Sequence, residues 1–188
     1  MKPPPDDALD HELMRLVGRR DGGAFARLLE RHYGWALGFA DRMLGTREEA
    51  EDLVQTAFLR VWQDAARWQP TARFSTWLYR VLYNLCMDRF RARGAADSEP
   101  LDDAIVETRA DDGPGSEERL AGRQRSERVR SAMAGLPPRQ RAALVLCYYD
   151  ERSQAEAAAL LGVSEGALES LLSRARATLR KWLRDELQ

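Results

Sequence analysis

The sequence contains few of the residues that build disulfides or metal centres. Only two of its 188 residues are cysteine and two are histidine. Cys86 and Cys147 lie far apart, each inside an apolar helical pattern, which predicts two buried free thiols. His11 and His32 are isolated, and no Cys/His cluster has the spacing of metal ligands. We therefore predict no metal, no cofactor and no catalytic residues, and this argues against an enzyme.

Long apolar runs and an excess of one charge are also missing. No stretch approaches the roughly 18 apolar residues of a membrane span. The first residues, MKPPPDDALD, lack the apolar core of a signal peptide, so we expect a cytoplasmic protein without membrane insertion. The net charge of −1 excludes a basic protein that coats DNA non-specifically. Any DNA-binding surface should therefore be a small part of the protein, or a larger partner should supply the remaining DNA contacts.

The C-terminal stretch from Ser153 to Leu183 reads as two helices with a tight turn between them. Ser153 and Glu156 have the spacing of a capping box, Gly162 can end the first helix, and Ser164 can cap the second. A small-residue face is predicted on the first helix: Ala155, Ala158, Ala159 and Leu161. Apolar residues recur at helical spacing in the second helix: Leu168, Leu171, Leu172, Ala175, Leu179 and Leu183. This pattern is typical of a helix-turn-helix, although an αα-hairpin without a DNA role is an alternative.

The N-terminal half predicts four helices, over residues 9–17, 24–44, 46–64 and 77–91, after a tail at 1–8. Thr46 and Glu49 have the spacing of a second capping box. The helix over 46–64 has a core face and a second line of residues on its polar side, which comprises Asp52, Gln55, Leu59 and Trp62. An apolar ring and a leucine on a polar face suggest a partner surface. Alternatively, Trp62 folds down onto the next segment.

Aromatic residues alternate with arginines between residues 65 and 91. Such interleaving suits single-stranded DNA, because rings stack on bases and arginines meet phosphates. The same rings would equally fill a small helical core, and those in question are Trp68, Phe74, Trp77, Tyr79 and Tyr83.

The fold class predicted is all-α, with two small helical bundles joined by an acidic flexible linker. The boundaries are a tail and short helix at 1–20, a first bundle at 21–93, a linker at 94–118 and a second bundle at 119–188. Residues 95–118 carry nine acidic residues and one arginine, and the linker lacks helical periodicity. In the second bundle we predict helices over 120–134 and 139–149, the latter packing through Ala142, Ala143, Val145, Leu146 and Tyr149.

Four blocks of sequence, in this order, resemble the extracytoplasmic-function (ECF) sigma factors, the two-domain initiation factors of bacterial RNA polymerase in the sigma-70 family. The blocks are EDLVQTAFLRVW (51–62), RFSTWLYRVLYNLCMDRFR (73–91), LPPRQRAALVL (136–146) and GVSEGALESLLSRARATLR (162–180). The resemblance implies that 21–93 is sigma region 2 and that 119–188 is region 4. It implies three partners, namely core RNA polymerase (its β′ coiled coil and β flap), promoter DNA and an anti-sigma factor, and no small-molecule substrate.

The resemblance also implies roles for residues of the first bundle. Those implied to bind polymerase are Asp52, Gln55, Phe58, Leu59 and Trp62. Those implied to capture, read or melt the minus-ten element are Trp68, Arg73, Phe74, Ser75, Thr76, Trp77, Tyr79, Arg80, Asn84, Asp88 and Arg91. A base extruded from the duplex needs a pocket and a stacking surface, which such residues would supply.

For the minus-thirty-five element, the resemblance implies contacts from the helix-turn-helix. The residues are Arg152, Ser153, Gln154, Ser164, Glu165, Gly166, Ala167, Glu169, Ser170, Arg174 and Arg176. Three positions depart from the usual pattern, because Glu169, Ala167 and Leu171 replace residues that are commonly basic or Thr. Glu169 would repel phosphate unless it accepts a hydrogen bond from a cytosine amino group. The helix-turn-helix could therefore recognise its DNA element by direct base contacts or by DNA shape.

Two functions are compatible with these patterns. The first is a promoter-specificity subunit that does no bond chemistry and binds core polymerase, and the second is a stand-alone helix-turn-helix regulator whose first bundle senses a ligand or dimerises. A regulator needs neither the aromatic and basic segment nor a line of residues facing polymerase. An enzyme is the least supported alternative, because no convergent set of carboxylates or nucleophile–base pair is present.

Overall fold

The structure, a computed structural model, describes residues 6–96 and 128–185, and every regular element in those ranges is a helix. The helices are α1 (Asp7–Val17), α2 (Gly22–Leu44), α3 (Arg47–Asp64), α4 (Phe74–Ala96), α5 (128–134), α6 (Pro138–Leu144), α7 (Gln154–Leu161) and α8 (Glu165–Asp185). The predicted all-α class is confirmed. Residues 1–5 of the predicted tail, the linker from residue 97 and the helix before residue 128 lie outside the described ranges. Within those ranges, no helix is both long and apolar enough to cross a bilayer.

Helices α1 to α4 form the first helical unit, in which α2 packs against the other three. Asp21 caps α2 by accepting a hydrogen bond from the Ala24 N–H at 3.0 Å. Trp35 on α2, which sequence reasoning did not select, is buried and stacks on the Tyr79 ring of α4 at a centroid distance of 4.5 Å. Because an indole and a phenol ring bury large apolar areas, this pair fixes the packing of α2 against α4.

A hydrogen-bonded network of polar side chains lies buried between α1 and α2. The Trp35 indole N–H donates to His32 Nδ1 at 3.0 Å, so the imidazole proton sits on Nε2 and donates to the Asp10 carboxylate at 2.8 Å. Arg31 donates from Nε to the other oxygen of Asp10 at 2.9 Å. Asp10 and His32 are both fully buried, and the network satisfies them.

The helix ends are largely those that the sequence indicates. Ser153 and Glu156 form the reciprocal capping box, and Ser164 Oγ accepts from the Ala167 N–H at 3.2 Å. Gly162 ends α7 in the left-handed region, with φ of 64°. The prediction of a capping box at Thr46 and Glu49 is wrong. The Thr46 hydroxyl donates a hydrogen bond to the Glu49 carboxylate at 2.7 Å and accepts none from the helix backbone.

Two predicted packing faces of the second helical unit, α5 to α8, are also corrected. The predicted helix over 139–149 is α-helical only to Leu144 and then forms a π-helical turn, Val145–Tyr149. Because a π turn holds more residues than an α turn, it rotates the following side chains, and Tyr149 is exposed instead of packed. On α7 the buried small residues are Ala157 and Ala158, whereas Ala155 and Ala159 are exposed.

The two predicted free thiols differ in their burial. Cys86 is fully buried, and burial raises the pKa of its thiol to about 12. Cys147 is half-buried, and this partial burial also raises the pKa of its thiol. Since the thiolate is the reactive species, we expect Cys86 to react with a thiol reagent at least about tenfold more slowly than Cys147 in the native chain. Mass spectrometry of timed alkylation reports both rates. Equal labelling before denaturation would contradict this packing.

The two helical units are in contact, although the sequence predicts independent bundles on a tether. Helix α4 packs against α6 and α7, and α2 packs against α6 and the π turn. Arg141 of α6 is buried and donates hydrogen bonds to the Met43 carbonyl of α2 and, at 2.5 Å, to the Ala134 carbonyl of its own unit.

Candidate nucleic-acid and polymerase interfaces

The line predicted on α3 is a partly exposed surface. Asp52 and Gln55 are exposed, and Leu59 is the most exposed large apolar side chain of the described residues, at 59%. Trp62 is half-buried, with its ring edge-on to Phe25 at 5.2 Å. We call Asp52, Gln55, Leu59 and Trp62 the α3 line. Leu59 and the exposed edge of Trp62 therefore place apolar surface on an otherwise polar face of α3.

Trp62 does not project freely from α3. The Arg20 guanidinium lies over its ring at 5.3 Å, and Nη1 of Arg20 donates to the Trp62 carbonyl at 3.1 Å. The predicted polymerase contact at Phe58 is wrong, because Phe58 is only 3% exposed and points into the first unit's core, near Phe25.

Helix α4 presents one polar face to solvent. At about 100° per residue, Trp77, Arg80, Asn84, Asp88 and Arg91 fall within roughly 80° of each other around the helix axis. Arg80, Asn84, Asp88 and Arg91 are exposed, and Trp77 is half-buried. We call these five residues the α4 face. Asp88 and Arg91 form an ion pair with each other, so the free polar groups at its centre are Arg80 and Asn84.

Three residues predicted to contact the minus-ten element are buried. Phe74 and Ser75 lie at the start of α4 in the core, and Phe74 packs edge-on against His32 at 4.8 Å. Tyr79 is 1% exposed and lies about 140° around α4 from Asn84. These predictions are corrected: the rings belong to the core, as the alternative interpretation held.

The segment before α4 places two more of the predicted minus-ten residues, Trp68 and Arg73, against α1, and a third, Thr76, lies in the first turn of α4. Trp68 is half-buried against His11, with ring centroids 5.2 Å apart. Arg73 is exposed and forms an ion pair with Asp7, with Nε and the carboxylate oxygen 2.9 Å apart. Thr76 is half-buried. Trp68 and Arg73 therefore lie beside the first turn of the α4 face but are held by α1.

The helix-turn-helix displays most of its predicted DNA contacts. The exposed ones are Ser153, Gln154, Ser164, Glu165, Gly166, Ala167, Glu169, Ser170, Arg174 and Arg176. Several hydroxyl groups are already used within the helices, because Ser153 and Ser164 cap them and Ser170 Oγ donates to the Gly166 carbonyl at 3.0 Å. The polar groups at the start of α8 are therefore mostly carboxylates, from Glu165 and Glu169.

Arg152 is the exception in this set, since its side chain is only 11% exposed. Its guanidinium lies over the Tyr79 ring at 5.0 Å, and Nη1 is 3.6 Å from the Glu156 carboxylate. Hydrogen bonds from the Ser153 backbone and hydroxyl lower the pKa of Glu156, so the capping carboxylate stays charged beside Arg152.

Exposed apolar residues of the second helical unit surround a groove of about 570 Å³. Val129, Tyr148 and Leu183 are among the most exposed large apolar residues of the described chain. Together with them, the main lining residues are Met133, Leu144 and Trp182. A mostly apolar groove of this size can take the apolar face of a partner helix.

Neither helical unit brings together a metal centre. Within residues 6–96 and 128–185, no three His, Cys, Asp or Glu side chains are close enough to hold a metal ion.

Two family profiles match the chain in consecutive stretches. Residues 28–96 match Sigma-70 region 2, and residues 126–179 match Sigma-70, region 4. The first stretch contains the α3 line and the α4 face, and the second contains the helix-turn-helix.

Several curated proteins are similar to the chain over most of its length. It is 31% identical to the ECF RNA polymerase sigma factor SigW of Bacillus subtilis over 180 residues, covering 92% of this chain and 95% of SigW. It is 35% identical to SigM of Mycobacterium tuberculosis, covering 93% of this chain and 84% of SigM. It is also 35% identical to SigE of Mycolicibacterium smegmatis, but spans only 60% of the length of that protein.

Solved structures of similar fold come from sigma factors. The structure of CnrH in complex with the cytosolic domain of CnrY superposes with a TM-score of 0.67 at 30% identity, covering 94% of this chain and 98% of CnrH. The sigma factor RpoE of Bartonella quintana, solved with the anti-sigma factor NepR, has a TM-score of 0.64 at 24% identity, covering 85% of this chain and 96% of RpoE.

Proposed function

The chain belongs to the ECF RNA polymerase sigma factors, and on that premise we propose that it directs core RNA polymerase to specific promoters and opens them. The observation that carries the proposal is that both sigma-70 regions match, in order, in a chain that aligns with 95% of the length of SigW. In this role the protein provides binding surfaces and performs no bond chemistry. It acts in the cytoplasm, where polymerase and promoter meet.

The α3 line is proposed to bind core polymerase, as the resemblance implies for the β′ coiled coil. Leu59 supplies an exposed apolar anchor, Gln55 supplies an amide one turn away, and Asp52 supplies an acceptor two turns away. A small apolar centre with polar groups beside it is the usual arrangement of an interface hot spot. Trp62 contributes its exposed edge.

The α4 face is proposed to contact the minus-ten element. Asn84 can form hydrogen bonds with a base edge, Arg80 can meet phosphate, and Trp77 offers a partly exposed ring for stacking. Trp68 and Arg73 extend this surface toward the extruded base.

Replacing Asn84 by alanine is expected to impair promoter opening more than duplex binding. The amide has no role in the core because it is exposed on α4, so the fold should be kept. Loss of a bidentate base contact is worth about 1–3 kcal/mol, which corresponds to about a 5- to 150-fold loss of open complex. Permanganate footprinting reports opening, and gel shift of the closed complex reports binding. Equal losses in both assays would mean that this helix reads double-stranded DNA.

The helix-turn-helix is proposed to bind the minus-thirty-five element, with α8 in or along the major groove. Arg174 and Arg176 are exposed toward the middle of α8, whereas its first turns carry Glu165 and Glu169. Glutamate in the groove is favourable only where it accepts from a cytosine amino group. The scarcity of donors at the start of α8 supports a contribution from DNA shape and from Gln154.

An anti-sigma factor is proposed to control the protein by covering apolar surfaces on both helical units. The candidate surfaces are Leu59 on the α3 line and the groove bordered by Val129, Tyr148 and Leu183. Both are exposed in the described chain, and an inhibitor that covers the α3 line would compete directly with polymerase. CnrH, 30% identical to this chain, was solved with the cytosolic domain of CnrY, and RpoE, which shares the fold, was solved with the anti-sigma factor NepR; both support this assignment.

Reconstitution with bacterial core RNA polymerase tests the proposed function. We expect a one-to-one complex on size-exclusion chromatography and specific run-off transcripts from a subset of promoters in a genomic library. Core enzyme without the chain provides the control. Failure to bind core enzyme, together with sequence-specific DNA binding by the free chain, would instead support a stand-alone helix-turn-helix regulator.

A further inference from the structure

Arg20 lies at a backbone position that favours glycine. It follows the end of α1 and has a φ of 67°, in the left-handed region that residues with a Cβ adopt only at an energetic cost. The Arg20 N–H donates to the Val17 carbonyl at 2.8 Å, and the Asp21 N–H donates to the Leu16 carbonyl at 3.2 Å. These two hydrogen bonds form a Schellman motif, in which glycine usually occupies the left-handed position. The turn itself therefore does not explain an arginine here.

The Arg20 side chain extends to the C-terminal end of α3. Its guanidinium lies over the Trp62 ring at 5.3 Å, and Nη1 donates to the Trp62 carbonyl at 3.1 Å. That carbonyl belongs to the last turn of α3, where the helix leaves carbonyl groups without partners of its own. The helix dipole also favours a cation at this end. The arginine thus contacts both the backbone and the ring of one residue.

The connector between α1 and α2 packs closely against the same end of α3. A Cβ at Gly18 would lie 3.0 Å from the Ala65 carbonyl oxygen and 3.3 Å from the Ala66 Cα. The Trp62 ring also meets the Phe25 ring of α2 edge-on at 5.2 Å. Two side chains from outside α3 therefore hold this ring, while part of it stays exposed on the α3 line.

Fixing the Trp62 ring contributes little to the fold but is valuable at an interface. Arg20 is exposed and Trp62 is half-buried, and a cation–π contact at an exposed site does no more than offset the cost of the left-handed backbone. A side chain that is already ordered loses less rotamer freedom when a partner binds, so its contacts yield more affinity. That order matters at Trp62 because the residue lies one turn from Leu59 on the α3 line.

We propose that Arg20 is a positioning residue of the polymerase interface, which holds the Trp62 ring in the orientation in which the α3 line binds core polymerase. The inference rests on the proposed function, which assigns the α3 line to polymerase. Arg20 precedes residue 28, where the match to Sigma-70 region 2 begins, so the family profile does not include it. The arginine acts through Trp62 and needs no polymerase contact of its own.

Replacing Arg20 by glycine in the full-length chain separates a role in binding from a role in folding. Glycine adopts a positive φ without strain, so the midpoint of urea unfolding should be no lower than that of the wild type. The affinity for core polymerase should nevertheless fall about tenfold, because the Trp62 ring is no longer fixed. Arg20→Lys keeps a cation that can donate to the carbonyl and should recover most of the affinity. Fluorescence anisotropy measures binding, and circular dichroism follows unfolding.

Two further variants test the charge and the route of the effect. Arg19→Ala removes the same charge from the exposed neighbouring residue and should bind core polymerase as the wild type does. Trp62→Leu keeps an apolar side chain but removes the ring. In the Trp62→Leu chain, Arg20→Gly should cause no further loss of affinity, because residues that act through one contact are not additive.

Three results would overturn this role of Arg20. The first is an Arg20→Gly chain that binds core polymerase as the wild type does. The second is a loss of affinity that accompanies a lower unfolding midpoint, which would make the role one in folding. The third is an equal loss in the Trp62→Leu chain, which would mean that Arg20 does not act through the ring. Failure of the wild-type chain to bind core polymerase would overturn the proposed function and this inference with it.

Discussion

Replacing Asp52 and Gln55 together by alanine is expected to weaken binding to core polymerase by about 1000-fold, because hot-spot residues contribute about 2 kcal/mol each when they flank an apolar anchor. Both side chains are exposed on α3 and neither contributes to the core, so the fold should be unaffected. Leu59 stays in place in this variant, so the change isolates the polar part of the α3 line. Fluorescence anisotropy of the labelled chain titrated with core enzyme measures the affinity.

The control replaces Asp64, an acid at the last turn of the same helix, by alanine. Asp64 is exposed and lies about 120° around α3 from Asp52, away from the α3 line. We expect the control to bind core polymerase as the wild type does. An unchanged affinity of the Asp52 and Gln55 variant, with circular dichroism spectra that overlay, would remove the α3 line from the polymerase interface.

Replacing Asp10 by alanine is expected to lower the free energy of unfolding by about 3 kcal/mol, because it leaves buried hydrogen-bond donors without an acceptor. The carboxylate accepts from His32 at 2.8 Å and from Arg31 at 2.9 Å, and it is fully buried. Without it, the His32 N–H faces a small cavity. Denaturation by urea, followed by circular dichroism at 222 nm, measures the change.

Asp7→Ala is the control for this second prediction, on the same helix. Asp7 pairs with Arg73, which is well exposed, and surface ion pairs contribute about 0–1 kcal/mol. We expect a loss below about 1 kcal/mol for Asp7→Ala. A similarly small loss for Asp10→Ala would show that the buried network is not a principal source of stability.

Helix positions and several helix ends follow from local sequence. The sequence predicts helix caps at four positions of the helix-turn-helix, and the structure has them there: Ser153, Glu156, Gly162 and Ser164. Local sequence is sufficient here because capping depends on residues within one turn of each other. The exposure of Asp52, Gln55 and Leu59 follows equally from helical periodicity, because it needs only a core on the opposite side of α3.

The positions of the aromatic residues do not follow from local sequence, because the same rings can fill a core or form a nucleic-acid surface. The resemblance places Phe58, Phe74 and Tyr79 among the contacts, but all three are buried. The π turn after Leu144 likewise has no local signal, and it exposes Tyr149. Whether a ring is buried depends on which helices surround it. The periodicity along a single helix does not specify those neighbours.

By itself the sequence determined an all-helical chain, its helix-turn-helix caps and its resemblance to the ECF sigma factors, because these depend on short-range spacing and on local motifs. Only the tertiary structure decided that Asp10, His32 and Trp35 share a buried network and that Tyr79 meets Asp150 across the two units. Asp10 and His32 are 22 residues apart in the chain, and Tyr79 and Asp150 are 71 residues apart. Contacts of that separation arise from helix packing and burial, which no local pattern encodes.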